Sequence, residues 1–152
     1  MTTRIPFKKI PENLMASMMA VESYINTTGF DHKLLELIRY RVSQINQCAY
    51  CTDLHYKEAI AAGEQPLRLY SISAWEETPY YSDKEKSMLA WAESVSLPTQ
   101  GSDQQSLYTD LLKHLNQQDI ANFTLAITQI NTWNRLAKSF GFMPGLHQAG
   151  QH

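Results

Sequence analysis

The chain has 152 residues, of which 43% are hydrophobic and 18% are charged, a composition typical of a globular protein and not of a disordered one. A formal net charge of -2, with no basic run beyond Lys8 and Lys9, argues against binding to nucleic acid. Two cysteines are too few for a secreted disulfide framework, and no apolar run approaches the roughly 18 residues of a membrane span. We therefore expect a soluble cytoplasmic protein with one domain over residues 1–152, a core at about 12–140 and a short loose C-terminal tail.

The spacing of the apolar residues predicts helices almost throughout the chain. A first helix is expected from about residue 12 to residue 27, where apolar side chains recur three and four positions apart. Asp31 is a suitable N-cap for a second helix, because a short polar side chain there can accept a hydrogen bond from the first turn. This second helix carries one apolar stripe, formed by Leu34, Leu35, Ile38, Val42 and Ile45.

Asn46 and Gln47 interrupt this pattern, and either of them could cap a third helix. We expect that helix from about residue 48 to residue 62, with Gly63 ending it. The stretch 64–75 is predicted as a short fourth helix. A solvated face of the third helix is expected to carry the charged residues Asp53, Lys57 and Glu58.

The second half of the chain continues the helical pattern. Ser82 and Glu85 have the spacing of a capping box, which predicts a fifth helix, and Gly101 marks a loop. Two more helices are expected over 102–115 and 118–140. The last helix carries an apolar stripe formed by Ile120, Phe123, Ile127, Ile130 and Ala137. Because no strand-like alternation is present, we predict an all-α fold.

The segment NQCAYCTDLH holds both cysteines, Cys48 and Cys51, with His55 one helical turn further on. On a helix the three side chains share one face, and two Cα atoms three residues apart lie roughly 5 Å from each other, within reach of a disulfide. Free N–H groups at a helix N-terminus favour a thiolate, and His55 can take a proton or stabilise that thiolate. The segment therefore predicts a redox couple at the N-terminus of a helix.

Glu36 lies twelve residues before Cys48, on the preceding helix, between two leucines. A carboxylate in a mostly apolar stretch needs a partner, because burial of an unpaired charge is unfavourable. If the break at Asn46 folds the two helices back on each other, His55 is the natural partner.

The same residues allow other interpretations. The two cysteines could be inert buried thiols, since cysteine often packs as a small hydrophobic residue. His55 could be a structural histidine, and Glu36 could be a solvated carboxylate on a helix surface. A zinc site is the third alternative, with two cysteines, His55 and a fourth ligand. That fourth ligand would come from His32, His114 or His147.

The order Glu36, eleven residues, Cys48, two residues, Cys51, three residues, His55 resembles the signature of the AhpD-like alkylhydroperoxidases, within the carboxymuconolactone decarboxylase superfamily. The stretch ELIRYRVSQINQCAYCTDLHYKEAIAAGE looks like the core motif of that family. LYSISAWEETPYYSDKEKSMLAWAESVS looks like the second block of its small single-domain branch. The resemblance covers most of the chain and is strongest from residue 34 to residue 97.

This resemblance implies an AhpD-like helical fold, assembly into a trimer or hexamer, and thiol-dependent reduction of hydroperoxides without a bound cofactor or metal. By position, Cys51 would be the peroxidatic thiol, Cys48 the resolving thiol, and Glu36 with His55 the proton relay. A dithiol protein, typically one bearing a lipoyl group in this family, would reduce the resulting disulfide. The best-characterised branch has a second histidine between the cysteines, where this chain has Tyr50.

Two further functions remain open from the residues alone. The cysteines could serve a dithiol–disulfide oxidoreductase or redox sensor, or the chain could be a non-enzymatic helical oligomer. For a peroxidase, an organic substrate needs an apolar pocket near the thiols. Tyrosines are candidates for the walls of that pocket, namely Tyr40, Tyr50 and Tyr56.

Overall fold

A computed structural model describes residues 2–98 and 103–150, and in these residues the chain forms seven α-helices. The prediction of an all-α fold is confirmed. The predicted loop at Gly101 and the predicted start of a helix at Ser102 lie outside the described residues. No helix in the two described ranges has both the length and the apolar character that crossing a membrane requires. The helices are α1 (Glu12–Asn26), α2 (His32–Ile45), α3 (Ala49–Ala61), α4 (Pro66–Ser71), α5 (Asp83–Ser96), α6 (Gln104–Leu111) and α7 (Gln117–Phe140).

Two of the predicted helix caps are present. The side chain of Asp31 accepts a hydrogen bond from the Leu34 N–H at 3.0 Å, which starts α2. At the start of α5, the Glu85 N–H donates to Ser82 Oγ at 3.3 Å and the Ser82 N–H donates to the Glu85 carboxylate at 2.8 Å. This reciprocal pair is the predicted capping box.

The start of α3 differs from the prediction, because neither Asn46 nor Gln47 caps it. Cys48 is the N-cap residue itself, and the helix begins at Ala49. The preceding residues instead end α2. Gln47 adopts a left-handed φ of 51°, and the Cys48 N–H donates to the Ser43 carbonyl at 3.0 Å, which is the hydrogen bond of a Schellman-type helix end.

The predicted fourth helix is divided into two pieces. α4 ends at Ser71, and a 3₁₀ helix continues over Ile72–Glu77. Ala74 leaves the helical region inside that second piece, with φ of -122° and ψ of 33°. The apolar pattern of the sequence continues from the α-helix into the 3₁₀ helix, so the pattern alone does not show where one ends and the other begins.

The core is centred on α2, which packs against α3, α5 and α7. Leu37 and Val42 on this helix are fully buried, and burial of a side chain of this size stabilises the fold by roughly 1.5–3 kcal/mol. The helix that carries Glu36 is therefore fixed on three sides. The stripe predicted for the last helix is also confirmed, because its residues are all buried in α7: Ile120, Phe123, Ile127, Ile130 and Ala137.

The chain after α7 lies along α3, in contrast to the loose tail that the sequence predicts. Lys57 Nζ donates to the His147 carbonyl at 3.1 Å, and His147 Nε2 lies 2.6 Å from Glu58 Oε1. The Gly145 N–H donates to Asp53 at 2.9 Å. The prediction of a solvated face here is wrong for Glu58, which is buried, because the tail covers it.

The N-terminal segment is attached to the C-terminal end of α7. The Arg4 N–H donates to the Phe140 carbonyl at 2.7 Å, and Arg4 Nε donates to the Ser139 carbonyl at 2.7 Å. Gly141 permits this approach, since a Cβ at that position would lie 2.7 Å from the Thr2 carbonyl oxygen. Its φ of 76° also lies in the left-handed region that favours glycine. The N-terminal segment therefore lies against the end of α7.

Candidate active site

Cys48 and Cys51 are joined by a disulfide, with their Cα atoms 5.3 Å apart. Cys48 is the N-cap of α3, and its Sγ accepts a hydrogen bond from the Cys51 N–H at 3.4 Å. The predicted position of the CxxC pair at a helix N-terminus is confirmed. In the reduced protein, the N–H groups and the dipole of this first turn favour a thiolate over a thiol.

Both sulfurs lie under a cover of apolar side chains. Cys48 is 1% exposed and Cys51 is 3% exposed. They pack in one cluster with Ile10 from the N-terminal segment and Phe142 from the residues after α7. The ring of Phe7 stacks on that of Phe142, with centroids 4.6 Å apart. Any molecule that contacts the sulfurs must therefore displace part of this cover.

Glu36 and His55 form the contact that the sequence predicts. His55 Nδ1 lies 2.7 Å from Glu36 Oε2, and the two residues come from α2 and α3. Glu36 is only 2% exposed, so it is not a solvated surface carboxylate. With Glu36 ionised, Nδ1 is the donor in this contact. The other ring nitrogen, Nε2, is then the one that can accept a proton.

Arg39 is a further charged residue at this site that was not predicted from the sequence. Its Nη1 donates to Glu36 Oε1 at 2.7 Å, and its Nη2 donates to Glu22 Oε1 of α1 at 2.5 Å. Burial alone would raise the pKa of the Glu36 carboxyl, but His55 and Arg39 together lower it to about 2. Glu36 is therefore a carboxylate at neutral pH despite its burial.

A polar cluster fixes the turn that leads into α3. Asn46 Nδ2 donates to Asn131 Oδ1 at 2.9 Å and to Asn134 Oδ1 at 2.8 Å. Asn134 in turn donates to Ser43 Oγ at 3.1 Å, and Lys138 Nζ donates to the Asn46 carbonyl at 2.8 Å. These contacts join the turn to α7. The polar residues in the last helix thus hold the first cysteine in place from a distant part of the sequence.

The three tyrosines have different surroundings. Tyr40 and Tyr56 line a groove of about 680 Å³ on the flank of α2 and α3, whose lining does not include either cysteine or His55. Tyr50 packs edge-on against Phe142, with ring centroids 5.2 Å apart, beside the disulfide. Burial raises the pKa of the Tyr50 phenol, so it stays protonated at neutral pH and does not act as a base there.

The zinc alternative has little geometric support in the described residues. In residues 2–98 and 103–150, no group of three or more His, Cys, Asp or Glu side chains is arranged to hold a metal ion. The two cysteines are bonded to each other, and His55 contacts Glu36. His147, a possible fourth ligand, contacts Glu58 on the outer side of α3.

Residues 12–94 match the sequence model of the Carboxymuconolactone decarboxylase family. The uncharacterized protein YdfG of Bacillus subtilis (strain 168) is 34% identical over 141 residues, which are 93% of this chain and 96% of that protein. A crystal structure from Agrobacterium tumefaciens, whose name links it to antioxidant defence and AhpD, has a TM-score of 0.88 and 33% identity, over 96% of this chain and 100% of that chain. A peroxidase-related protein from Ralstonia eutropha JMP134, named as an alkylhydroperoxidase AhpD core, has a TM-score of 0.77 at 18% identity, over 88% of this chain and 72% of that chain, and shows the fold alone. The chain therefore belongs to the carboxymuconolactone decarboxylase family and, within it, to the AhpD-like proteins.

Proposed function

We propose that this protein is a thiol-dependent peroxidase that reduces organic hydroperoxides by cycling Cys48 and Cys51 between dithiol and disulfide. The observation that carries this proposal is the combination of a bonded cysteine pair at the N-terminus of α3 with a contact between His55 of the same helix and the buried Glu36. The Agrobacterium tumefaciens structure, whose name refers to antioxidant defence, supports it.

The first step is activation of Cys51. Glu36 holds the proton on His55 Nδ1, which leaves Nε2 to take the proton of the Cys51 thiol. The dipole of α3 favours the resulting thiolate, because Cys51 lies in the first turn of the helix. His55 is four residues after Cys51, one helical turn away on the same helix.

The thiolate then attacks the distal oxygen of the hydroperoxide. The O–O bond breaks, Cys51 becomes a sulfenic acid, and the alkoxide takes the proton from His55 and leaves as the alcohol. Cys48 attacks the oxidised sulfur next. The hydroxide on that sulfur leaves as water with the Cys48 proton, and the disulfide forms. One hydroperoxide and two thiols thus give one alcohol, one water and one disulfide.

A second substrate, an external dithiol, closes the cycle. Exchange through a mixed disulfide transfers two electrons to the Cys48–Cys51 bond and returns both thiols. A protein that bears a lipoyl group is our first candidate for this dithiol. The reducing cytoplasm is the compartment that suits the reaction, and a trimer or hexamer of the chain is the assembly that we propose.

A dithiol–disulfide oxidoreductase or redox sensor is the second candidate function. The Cys48–Cys51 disulfide favours it, because a bonded cysteine pair at a helix N-terminus can exchange with a partner dithiol whether or not hydroperoxide is a substrate. In this case hydroperoxide would not be the substrate, while disulfide exchange with a protein would remain. A non-enzymatic oligomer is the least favoured, because it gives the buried Glu36–His55 pair no function.

Thiol titration of the reduced protein tests the proposal. One equivalent of cumene hydroperoxide should consume both thiols and release one equivalent of alcohol. Cys51→Ser should abolish the reaction, whereas Cys48→Ser should retain one oxidation event, trapped as a sulfenic acid by dimedone. Ala49→Ser, on an exposed residue of the same turn, is the matched control and should react like the unaltered protein.

Other results of the thiol titration would change the assigned roles or refute the peroxidase proposal. If Cys48→Ser is inert and Cys51→Ser reacts, the roles of the two cysteines are reversed. If hydroperoxide consumes no thiols but lipoyl, thioredoxin or glutaredoxin donors reduce the disulfide rapidly, the peroxidase proposal fails and the oxidoreductase replaces it. Steady-state hydroperoxide reduction with these three donors, compared side by side, identifies the reductant.

A further inference from the structure

Arg39 lies between two carboxylates in a largely buried position. Its side chain is 8% exposed, compared with 3% for Glu36 and 22% for Glu22. One guanidinium nitrogen contacts Glu36 and another contacts Glu22, so the planar group joins α2 to α1. A lysine ammonium is a point charge on a flexible chain and does not reproduce this two-sided geometry.

The two oxygens of Glu36 have separate partners. Oε1 accepts from Arg39, and Oε2 contacts His55 Nδ1. Because Arg39 occupies one oxygen, rotation of the carboxylate is restrained and the other oxygen stays directed at His55. The position of the His55 imidazole then depends on Arg39, although Arg39 donates its hydrogen bond to Glu36 and not to His55.

We propose that Arg39 is a positioning residue for the thiol site, which holds the Glu36 carboxylate against His55 and is itself anchored by Glu22. This inference rests on the proposed function, because it gives Glu36 and His55 a part in activating Cys51. It adds α1 to the site, although no residue of that helix belongs to the CxxC segment.

The charges around Glu36 determine the expected effects. In the described residues, the charged groups that act on Glu36 are His55 from α3 and Arg39 from its own helix, and Arg39 also contacts Glu22 from α1. Removal of a fixed positive charge makes loss of a proton from neighbouring groups less favourable. Removal of a negative charge has the opposite effect. Substitutions at Arg39 and Glu22 are therefore expected to shift the reactivity of Cys51 in opposite directions.

A second arginine in the same chain provides a matched control. Arg68 also lies between two carboxylates, with Nε 3.0 Å from Glu64 Oε1 and Nη2 2.5 Å from Glu85 Oε1. It joins α4, the turn before it and α5, and none of these three residues contacts Glu36 or His55. Loss of Arg68 removes an ion pair of the same kind without removing a charge at the thiol site.

The test is the pH dependence of Cys51 alkylation by iodoacetamide, measured in the reduced protein on a Cys48→Ser background. Arg39→Met should move the acid limb of the profile to higher pH, by less than the roughly 1–3 units that an opposite charge in direct contact produces, because Arg39 acts on Cys51 through Glu36 and His55. Arg39→Lys should keep the limb near its original position. Glu22→Gln should move it to lower pH by a smaller amount, and Arg68→Met should leave it in place.

The imidazole of His55 gives a second readout by ¹⁵N NMR. The Nδ1 proton should exchange slowly with solvent in the unaltered protein and in Arg68→Met, and much faster in both Arg39→Met and Arg39→Lys. This readout separates orientation from charge, because lysine restores the charge alone.

An unchanged acid limb and an unchanged Nδ1 signal in folded Arg39→Met would overturn the proposal, as would equal shifts in Arg39→Met and Arg68→Met. If Arg39→Met does not fold, Arg39→Lys and Glu22→Gln still test the proposal. A purely structural role for Arg39 predicts that neither variant changes the acid limb of the alkylation profile or the exchange of the Nδ1 proton. Alkylation and NMR need no hydroperoxide. A protein that is inert to hydroperoxide would therefore refute the peroxidase and still test the role of Arg39.

Discussion

Glu36 is an ionised carboxylate in the interior of the protein, and two partners from two helices maintain its charge. A buried carboxylate without partners is strongly unfavourable and tends to take up a proton. Here the Arg39 and His55 contacts outweigh the effect of burial, so that the pKa of Glu36 is about 2 instead of 4.5. The arrangement keeps a hydrogen-bond acceptor for His55 available at neutral pH.

Because the folded-state pKa of Glu36 is lowered, its ionisation stabilises the fold above about pH 4.5, and that contribution is lost as the pH falls towards about 2. We expect Glu36→Gln to remove this dependence. The difference in free energy of unfolding between the unaltered protein and Glu36→Gln should decrease by up to roughly 3 kcal/mol over this window. Urea unfolding at a series of pH values measures it. A difference that stays constant would show that Glu36 is not held ionised by the fold.

Four candidate residues could be identified in the sequence because their signal is local. Cys48, Cys51 and His55 fall on one helix face by spacing, and a carboxylate among leucines calls for a partner. Arg39 follows Glu36 by three positions, which is also the spacing of ordinary surface ion pairs on helices. Its contact with Glu22 joins two different helices, and no periodicity in one helix reports such a contact.

The turn between α2 and α3 is the element that places the disulfide. Gln47 ends α2 in a left-handed conformation, with φ of 51°, and the next residue is the N-cap of α3. For residues with a Cβ, this conformation costs roughly 1–2 kcal/mol. The Asn46 contacts with α7 help to hold the turn in this form. The residue with the strained backbone, Gln47, therefore directly precedes Cys48.

Gln47→Gly should stabilise the protein, because glycine adopts the left-handed region without the steric penalty. We expect an increase of about 1 kcal/mol in the free energy of unfolding, measured by urea denaturation. Ala121→Gly is the matched control, on an exposed residue inside α7 with ordinary helical geometry, and it should lower the same quantity by about 1 kcal/mol. A loss of stability in Gln47→Gly would show that the glutamine side chain makes a stabilising contribution larger than the strain.

Helix boundaries were predictable where a polar side chain marks them, as at Asp31 and Ser82. The start of α3 near residue 48 was predicted correctly, but its cap was not, because only polar side chains were expected as caps and the capping acceptor is Cys48 Sγ. The amide of Asn46 was available as a cap in the sequence, but it binds α7 across more than 80 positions of the chain. Such a choice between local and distant partners is made by the tertiary structure.

In the molecule as a whole, the N-terminal segment and the residues directly after α7 pack together beside the disulfide. Arg4 and Ile5 donate their backbone N–H groups to the Phe140 carbonyl, and Phe7 stacks on Phe142. This arrangement was not predictable from the sequence, because the segment before α1 has no helical periodicity and its partners lie more than 130 positions away. Access to the sulfurs is therefore a property of the complete fold.

Phe7→Ala should make the disulfide easier to reduce, because it removes an aromatic stack from the cover. Such a stack contributes about 0.5–1.5 kcal/mol, so opening of the cover and reduction by dithiothreitol should become roughly 2- to 10-fold faster. Thiol release followed over time measures the rate. Met19→Ala, which alters an exposed apolar residue of α1, is the control and should leave the rate unchanged. Equal rates for Phe7→Ala and the unaltered protein would mean that the reductant enters by another route.

The short separation of the two cysteines has an energetic consequence for the folded scaffold. A cross-link between residues three positions apart closes a very small loop, so it removes less freedom from the unfolded chain than a long-range bond does. Reduction of this disulfide should therefore lower the free energy of unfolding only slightly. The frame built by α2, α3 and α7 can stay intact while the bond is broken and remade, which is what a reusable redox centre requires.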